Sequence, residues 1–319
     1  METRDFGRLG RISALTLGGG GIAGVWGRTD RAEAVATVHA ALDAGITMLD
    51  VAPGYGVDAE SERAVGEALR RRPADDVLVT TKVPLHDDEE RDFGRRIRDG
   101  LRASLDRLGR EHLDLFLLHT QLRPAGGPAQ PAGTMAWEDY RDEVVPEFER
   151  LRDAGRIRAW GITGIAHPHS VLAALREAPR PDAAQVIVNA LDLNGDIWTF
   201  GPAVPPANDE IVRVANENGV AVVGIRAVAA GSLTDALDRV VDPGHPAAVD
   251  FARAEPFRKL AAELGETPAA LAHRYALTVP GVATVVLGVK NRAELAECVA
   301  AEARGPLAAE EMRAIAALR

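Results

Sequence analysis

The hexapeptide LDLFLL at residues 113–118, followed directly by His119, decides the fold. Five of its six side chains are apolar, so neither face of such a strand tolerates water, and burial on both faces belongs to a parallel sheet covered by helices. VAVVGI at residues 220–225 reads the same way. Working outward, strands are expected at residues 14–17, 46–50, 77–82, 113–118, 157–162, 184–188, 220–225 and 282–287. Apolar residues at helical spacing lie between them, as in Ile97, Leu101 and Leu105. Eight βα units in 319 residues predict an α/β fold, a closed (β/α)8 TIM barrel. No linker or composition break divides the chain, so residues 1–319 read as one domain.

Composition narrows the function classes. No run approaches the eighteen apolar residues a membrane span needs, and the N-terminal METRDFGRLG is polar where a secretory leader is apolar; the cytoplasm is the expected compartment. The one cysteine, Cys298, excludes an internal disulfide and any cysteine-rich metal cage. With 37 basic against 47 acidic residues the formal charge is −10, which disfavours nucleic acid and anionic membranes as partners. Small-molecule chemistry is the expected class, and the oligomeric state is not readable.

In a (β/α)8 barrel the chemistry sits where strands end, so polar residues there carry most weight. Asp50 closes the second expected strand in LDVAPGYG, Tyr55 follows five residues later, Lys82 closes the third in VTTKV, and His119 follows the fourth. Singly each has a structural reading: Asp50 as a turn cap, Lys82 as a solvated strand end, His119 as the partner of a buried carbonyl. Together, on three successive strands, they suit proton transfer. A phenol is a poor acid at neutral pH, but a nearby ammonium lowers its pKa, a carboxylate keeps that ammonium charged, and a neutral imidazole hydrogen-bonds a carbonyl oxygen. This is the set needed to protonate a carbonyl that receives a hydride, and the hydride would have to come from a nicotinamide cofactor.

Two other patterns compete. GGGIAG at residues 19–24 fits a dinucleotide-binding G-x-G-x-x-G, with Asp50 as the acidic residue on the next strand. Such a loop opens directly into a helix, whereas VWGRTD intervenes before the helical pattern near Arg31; Gly20 and Gly21 read instead as close approach of backbone to ligand. His167 and His169 form an H-x-H pair without a matching cluster at neighbouring strand ends, so a helix start near Ser170 is expected and no metal site. LRPAGGPAQPAG at residues 122–133 reads as a long rim loop, with further irregular loops at residues 202–206 and 242–246.

Across these segments the sequence resembles the aldo-keto reductases, in LTLGGGG, ALDAGITMLDVAPGYG, SERAVGEAL, VTTKV, LDLFLLH, GRIRAWGIT, VAVVGIRAVAAGSLT and TVVLGVKNRAELAE. The resemblance implies NADP(H) as cofactor and reversible reduction of an aldehyde or ketone. It implies Tyr55 as general acid, Lys82 and Asp50 as its tuning groups, and His119 as the group that orients the carbonyl. Gly288, Lys290, Asn291, Glu294, Glu297 and Cys298 occupy the positions that hold the adenosine end, with Lys290 suited to a 2′-phosphate. Glu294 and Cys298 stand where the family usually has glutamine and asparagine. Thr163 and Gln185 are implied for the carboxamide, Gly164 replacing the usual asparagine. Ile225 or Arg226 offers a face to the nicotinamide, and Ala230, Gly231 and Leu233 follow along the cofactor. Trp26, Trp198 and the loop at residues 122–133 are expected near the substrate. Within the family the chain looks most like bacterial aldose or fucose dehydrogenases. A low-turnover nucleotide-binding subunit and a reductase for one specialised metabolite are the alternative readings.

Overall fold

Eight parallel strands pair in chain order and close on themselves. They are β1 (Leu15–Gly18), β2 (Met48–Asp50), β3 (Leu78–Val83), β4 (Leu113–Leu118), β5 (Ile157–Thr163), β6 (Ala183–Ile187), β7 (Ala221–Ile225) and β8 (Val282–Leu287). Each lies within two residues of its sequence expectation. Ladders run from Leu17↔Leu49 between β1 and β2 round to Val285↔Leu15 between β8 and β1. In this computed structural model residues 1–86, 90–126 and 132–319 are described. A closed sheet in sequential order has no point where strand order reverses, which excludes the open dinucleotide-binding sheet. GGGI forms one helical turn (Gly19–Ile22), and the covering helix starts at Arg31, where Asp30 accepts the N–H of Glu33 as an N-cap.

Side chains alternate along a strand, so every second residue faces the barrel interior. Met48, Leu115, Leu117, Ala159, Ala183, Val223 and Ala283 fill that interior. Continuing those inward rows at two-residue steps toward the strand ends gives Asp50, His119, Thr163, Gln185 and Ile225. The same alternation from Leu78 through Thr80 reaches Lys82. The N-terminal mouth is stoppered by an antiparallel hairpin, Thr3–Asp5 with Arg11–Ser13, whose Phe6, Leu9 and Ile12 join the interior cluster. This hairpin was not expected: its three-residue strands are charged and carry no readable period.

The outer layer comprises α1 (Arg31–Asp43), α2 (Glu60–Arg71), α3 (Phe93–Leu108), α4 (Val145–Asp153), α5 (Pro168–Arg176), α6 (Asn208–Glu217), α7 (Pro268–Thr278) and α8 (Arg292–Ala303), with further helices at Pro246–Arg253, Glu255–Glu263 and Ala309–Ala316. Helix α3 shows why they form: Phe93, Ile97, Leu101, Leu105 and Leu108 make one buried stripe, Asp92 caps the start, and Gly109 in a left-handed conformation ends it. Pro168 opens α5 directly after His167, so the H-x-H pair marks a helix start. In the rim loop, Gln121–Arg123 pairs with Thr134–Ala136, while residues 127–131 lie outside the described residues. Among the described residues no helix is long and apolar enough to cross a membrane.

Candidate active site

The C-terminal mouth of the barrel gathers Asp50, Tyr55, Lys82 and His119. Lys82 is 1% exposed, and its ammonium donates to Asp50 Oδ1 at 2.8 Å and to the Val51 carbonyl at 2.9 Å. An ammonium has three N–H donors. The third is left for Tyr55, whose ring centroid is 4.8 Å from Nζ and whose hydroxyl interacts with Lys82. Burial pulls the lysine pKa down, but the Asp50 charge and Tyr55 outweigh it and hold the ammonium above its ordinary value. The other oxygen of Asp50 accepts from Gln185 Nε2 at 3.0 Å. A relay of contacts thus runs from Gln185 through Asp50 and Lys82 to Tyr55.

Tyr55 sits on the loop between β2 and α2, where local bonds leave it little freedom. Its N–H donates to the Ala52 carbonyl at 3.1 Å, its carbonyl accepts the Ser61 N–H at 3.2 Å, and the Ser61 hydroxyl returns to the Ala52 carbonyl at 2.9 Å. Asp58 and Ala59 have positive φ, a local backbone strain, while Gly56 adopts that region at no steric cost. The phenol corrects one expectation: burial pushes its pKa above the ordinary value, against the pull of Lys82, so Tyr55 holds its proton rather than resting as a partial phenolate. The imidazole of His119 meets the Tyr55 ring edge-on, centroids 5.8 Å apart at 86°. Burial, with repulsion from Lys82 and His86, lowers its pKa to about 3, which keeps it neutral.

The adjoining strand ends fit a nicotinamide cofactor. Thr163, at the end of β5, is 7% exposed and its Oγ1 has no hydrogen-bond partner, an orphan that a carboxamide would satisfy. Gln185 pairs with Thr163 in the sheet. At Gly164, where the resemblance leads one to expect asparagine, a Cβ would lie 2.8 Å from the Gln185 carbonyl oxygen. After β7, Arg226, Ala229, Ala230 and Gly231 all have positive φ. The Arg226 guanidinium lies 5.8 Å from the Trp26 ring centroid and pairs with Asp196 at 3.3 Å, with burial lowering its pKa. Arg239 is also 5.8 Å from that ring.

Several other expected contacts stand differently. A Cβ on Gly21 would lie 2.0 Å from the Val289 carbonyl oxygen, so that glycine is required first by the protein's own packing, while one on Gly20 would press on Trp26 Nε1 at 3.1 Å. Gly288 lies against the same indole. Leu233 is fully buried in a cluster with Leu193 and Phe257. Cys298 is buried against the His273 imidazole, its thiol pushed up to about 12, and Glu297 accepts the Thr267 hydroxyl at 2.5 Å. Lys290 is ringed by carboxylates, Asp238 at 2.8 Å and Glu294 at 3.0 Å; Asn291 caps α8 through the N–H of Glu294. Trp198 donates its indole N–H to the carbonyls of Gly201 and Val204, on a loop tied to Gln121 through Ile197 and Thr199. Sequence reasoning missed Ser61 as the tether of the Tyr55 loop, Gln185 as the partner of Asp50, and Asp238. A serine opening a helix is one of many, and no spacing links Gln185 to Asp50 or Asp238 to Lys290.

The chain is 25% identical over 305 residues to the L-galactose dehydrogenase of Arabidopsis thaliana, covering 94% of this chain and 88% of that protein. It is 26% identical over 291 residues to the NADH-specific methylglyoxal reductase of Escherichia coli, covering 85% and 81%. An aldo-keto reductase from Bacillus halodurans, solved in a holo form, shares the fold with a TM-score of 0.73 at 24% identity, covering 100% of this chain and 96% of that one. The sequence model of the Aldo/keto reductase family matches residues 14–319, and the chain belongs to that family of nicotinamide-dependent oxidoreductases.

Proposed function

We propose that this protein interconverts an aldehyde or ketone with the corresponding alcohol, a nicotinamide dinucleotide lying along the mouth beside β5 to β8 and Tyr55 acting as general acid and base. The observation that carries this reading is the buried Lys82 ammonium, fixed by Asp50 and the Val51 carbonyl and in contact with Tyr55.

The cofactor, when bound, supplies or accepts the hydride. Thr163 and Gln185 would hold its carboxamide. In reduction the neutral His119 donates an N–H to the substrate carbonyl oxygen and so orients it, while Tyr55 gives its proton to the same oxygen. The phenolate left behind forms beside the Lys82 ammonium, whose charge is poised there before the reaction begins. Asp50 keeps that ammonium charged and in place. In oxidation Tyr55 takes the proton back. Aldehydes, ketones and sugars are the substrate class, in line with relatives named for L-galactose and methylglyoxal. A small-molecule partner accords with a net charge of −10. A cation at Lys290 favours NADP(H); the two carboxylates that surround it favour NAD(H).

The test is a titration of tryptophan fluorescence with NADH and with NADPH, followed by an aldehyde, ketone and aldose screen read as consumption of reduced cofactor. Micromolar or tighter binding with turnover is expected. Binding without turnover on any carbonyl would point to a regulatory nucleotide-binding role, and binding of neither nucleotide would sink the redox reading.

A further inference from the structure

The start of α8 is where the loops after β7 and β8 would grip the adenosine end of a dinucleotide, and the cations and several of the backbone N–H groups that a 2′-phosphate would seek there are engaged by oxygen from the protein itself. The backbone N–H of Lys290 donates to Glu294 Oε2 at 2.9 Å, that of Arg292 to Glu33 at 3.0 Å, and that of Glu294 to Asn291 Oδ1 at 3.0 Å. The cations are engaged as well. Lys290 Nζ lies between Asp238 Oδ2 at 2.8 Å and Glu294 Oε1 at 3.0 Å. The Arg292 guanidinium makes two bonds to Glu33, at 3.1 and 3.0 Å. Arg239, beside Asp238, is turned to the Ala230 carbonyl at 3.0 Å and to Trp26. Lys290, Arg292 and Arg239 are thus matched one for one by Asp238, Glu294 and Glu33, so no cation stands in excess.

Such a corner offers a phosphate dianion no cation in excess, while its carboxylates are acceptors for the two hydroxyls of an unmodified ribose. Resting on the dinucleotide reading above, we propose that the site selects NAD(H) over NADP(H), with Asp238 and Glu294 as the specificity-determining residues. Selection then has an attractive part, the diol on the carboxylates, and a repulsive part, the same carboxylates against a 2′-phosphate. The Lys290 ammonium holds both carboxylates in place and would not reach a phosphate without breaking two ion pairs.

The experiment is a fluorescence titration of the intact protein and of the Asp238→Asn, Glu294→Gln double variant with NADH and NADPH, each checked by thermal melting for a retained fold. The intact protein is expected to bind NADH at least tenfold more tightly. In the double variant the ratio should move at least tenfold toward NADPH, chiefly by tighter NADPH binding. Glu294→Gln alone, which keeps a carbonyl oxygen for the Lys290 N–H, should move it part of the way. Equal or tighter NADPH binding by the intact protein would overturn the proposal, as would a ratio that the double variant leaves unmoved. Binding of neither nucleotide would overturn it together with the redox reading, whereas NADH binding without turnover would count against the enzymatic reading alone.

Discussion

The side chain of Gln185 crosses the barrel mouth from β6 to β2 and donates a 3.0 Å hydrogen bond to Asp50. With Lys82 on its other oxygen, Asp50 has an acceptor site filled from each side of the barrel. The carboxylate is thereby held in one orientation, which sets where the ammonium, and through it the Tyr55 hydroxyl, must lie.

Removing that bond tests its weight. Gln185→Leu leaves a buried carboxylate oxygen short of a donor, and the expected loss is about 1–3 kcal/mol of unfolding free energy by urea denaturation. Weaker nucleotide binding should accompany it, since Gln185 also faces the expected carboxamide position. A variant as stable as the parent would show that water fills the gap.

Tyr55→Phe removes the proton donor and little else. Carbonyl reduction should fall by roughly 10²–10⁴-fold, the usual contribution of a positioned general acid. Nucleotide affinity, read by fluorescence, should stay within about threefold of the parent by the order of magnitude that separates catalytic from binding effects. Activity near the parent level would remove Tyr55 from the mechanism.

The pH dependence follows from two neighbouring groups. His119 takes a proton only near pH 3 in the folded chain, against 6.5 for the ordinary imidazole. Between those values the unfolded chain binds a proton that the folded chain refuses, so stability falls as pH drops through the window. His119→Asn should flatten that acid-side decline in melting temperature. The Tyr55 phenol is raised, so it keeps its proton through the neutral and mildly alkaline range. Reduction should therefore hold steady with rising pH, and alcohol oxidation, which needs a proton acceptor, should climb. A fall in reduction with an apparent pKa well below the ordinary phenol value of about 10 would contradict the burial argument.

Gly164→Asn introduces the residue that the family resemblance leads one to expect but places a Cβ against the Gln185 carbonyl oxygen, 2.8 Å away. Backbone cannot yield as a side-chain tip would, so the expected result is a lower melting temperature and no gain in nucleotide affinity. Tighter binding with an unchanged melting temperature would mean that the strand end adjusts freely.

The barrel is legible in the sequence because double-faced burial demands apolar runs, and LDLFLL and VAVVGI supply them with little alternative. Asp50, Lys82 and His119 are legible for a related reason. A charged or titratable residue ending an apolar strand has to go somewhere, and in a closed barrel that place is the mouth. The N-terminal hairpin is not legible, since its short charged strands matter only through Phe6, Leu9 and Ile12 once a barrel exists for them to close.

The amino-acid sequence by itself determined the eight-unit barrel and pointed to Asp50, Tyr55, Lys82 and His119 as the candidate group at its mouth, because both follow from local pattern: strand period, strand end, residue type. Only the tertiary structure decided how those groups are tuned. Gln185 meets Asp50 across 135 positions of chain, Lys290 meets Asp238 across 52, and burial rather than the nearby ammonium sets the direction of the Tyr55 shift. Charge and proton affinity depend on what surrounds a group in space, and closing the barrel brings together residues that no sequence period connects.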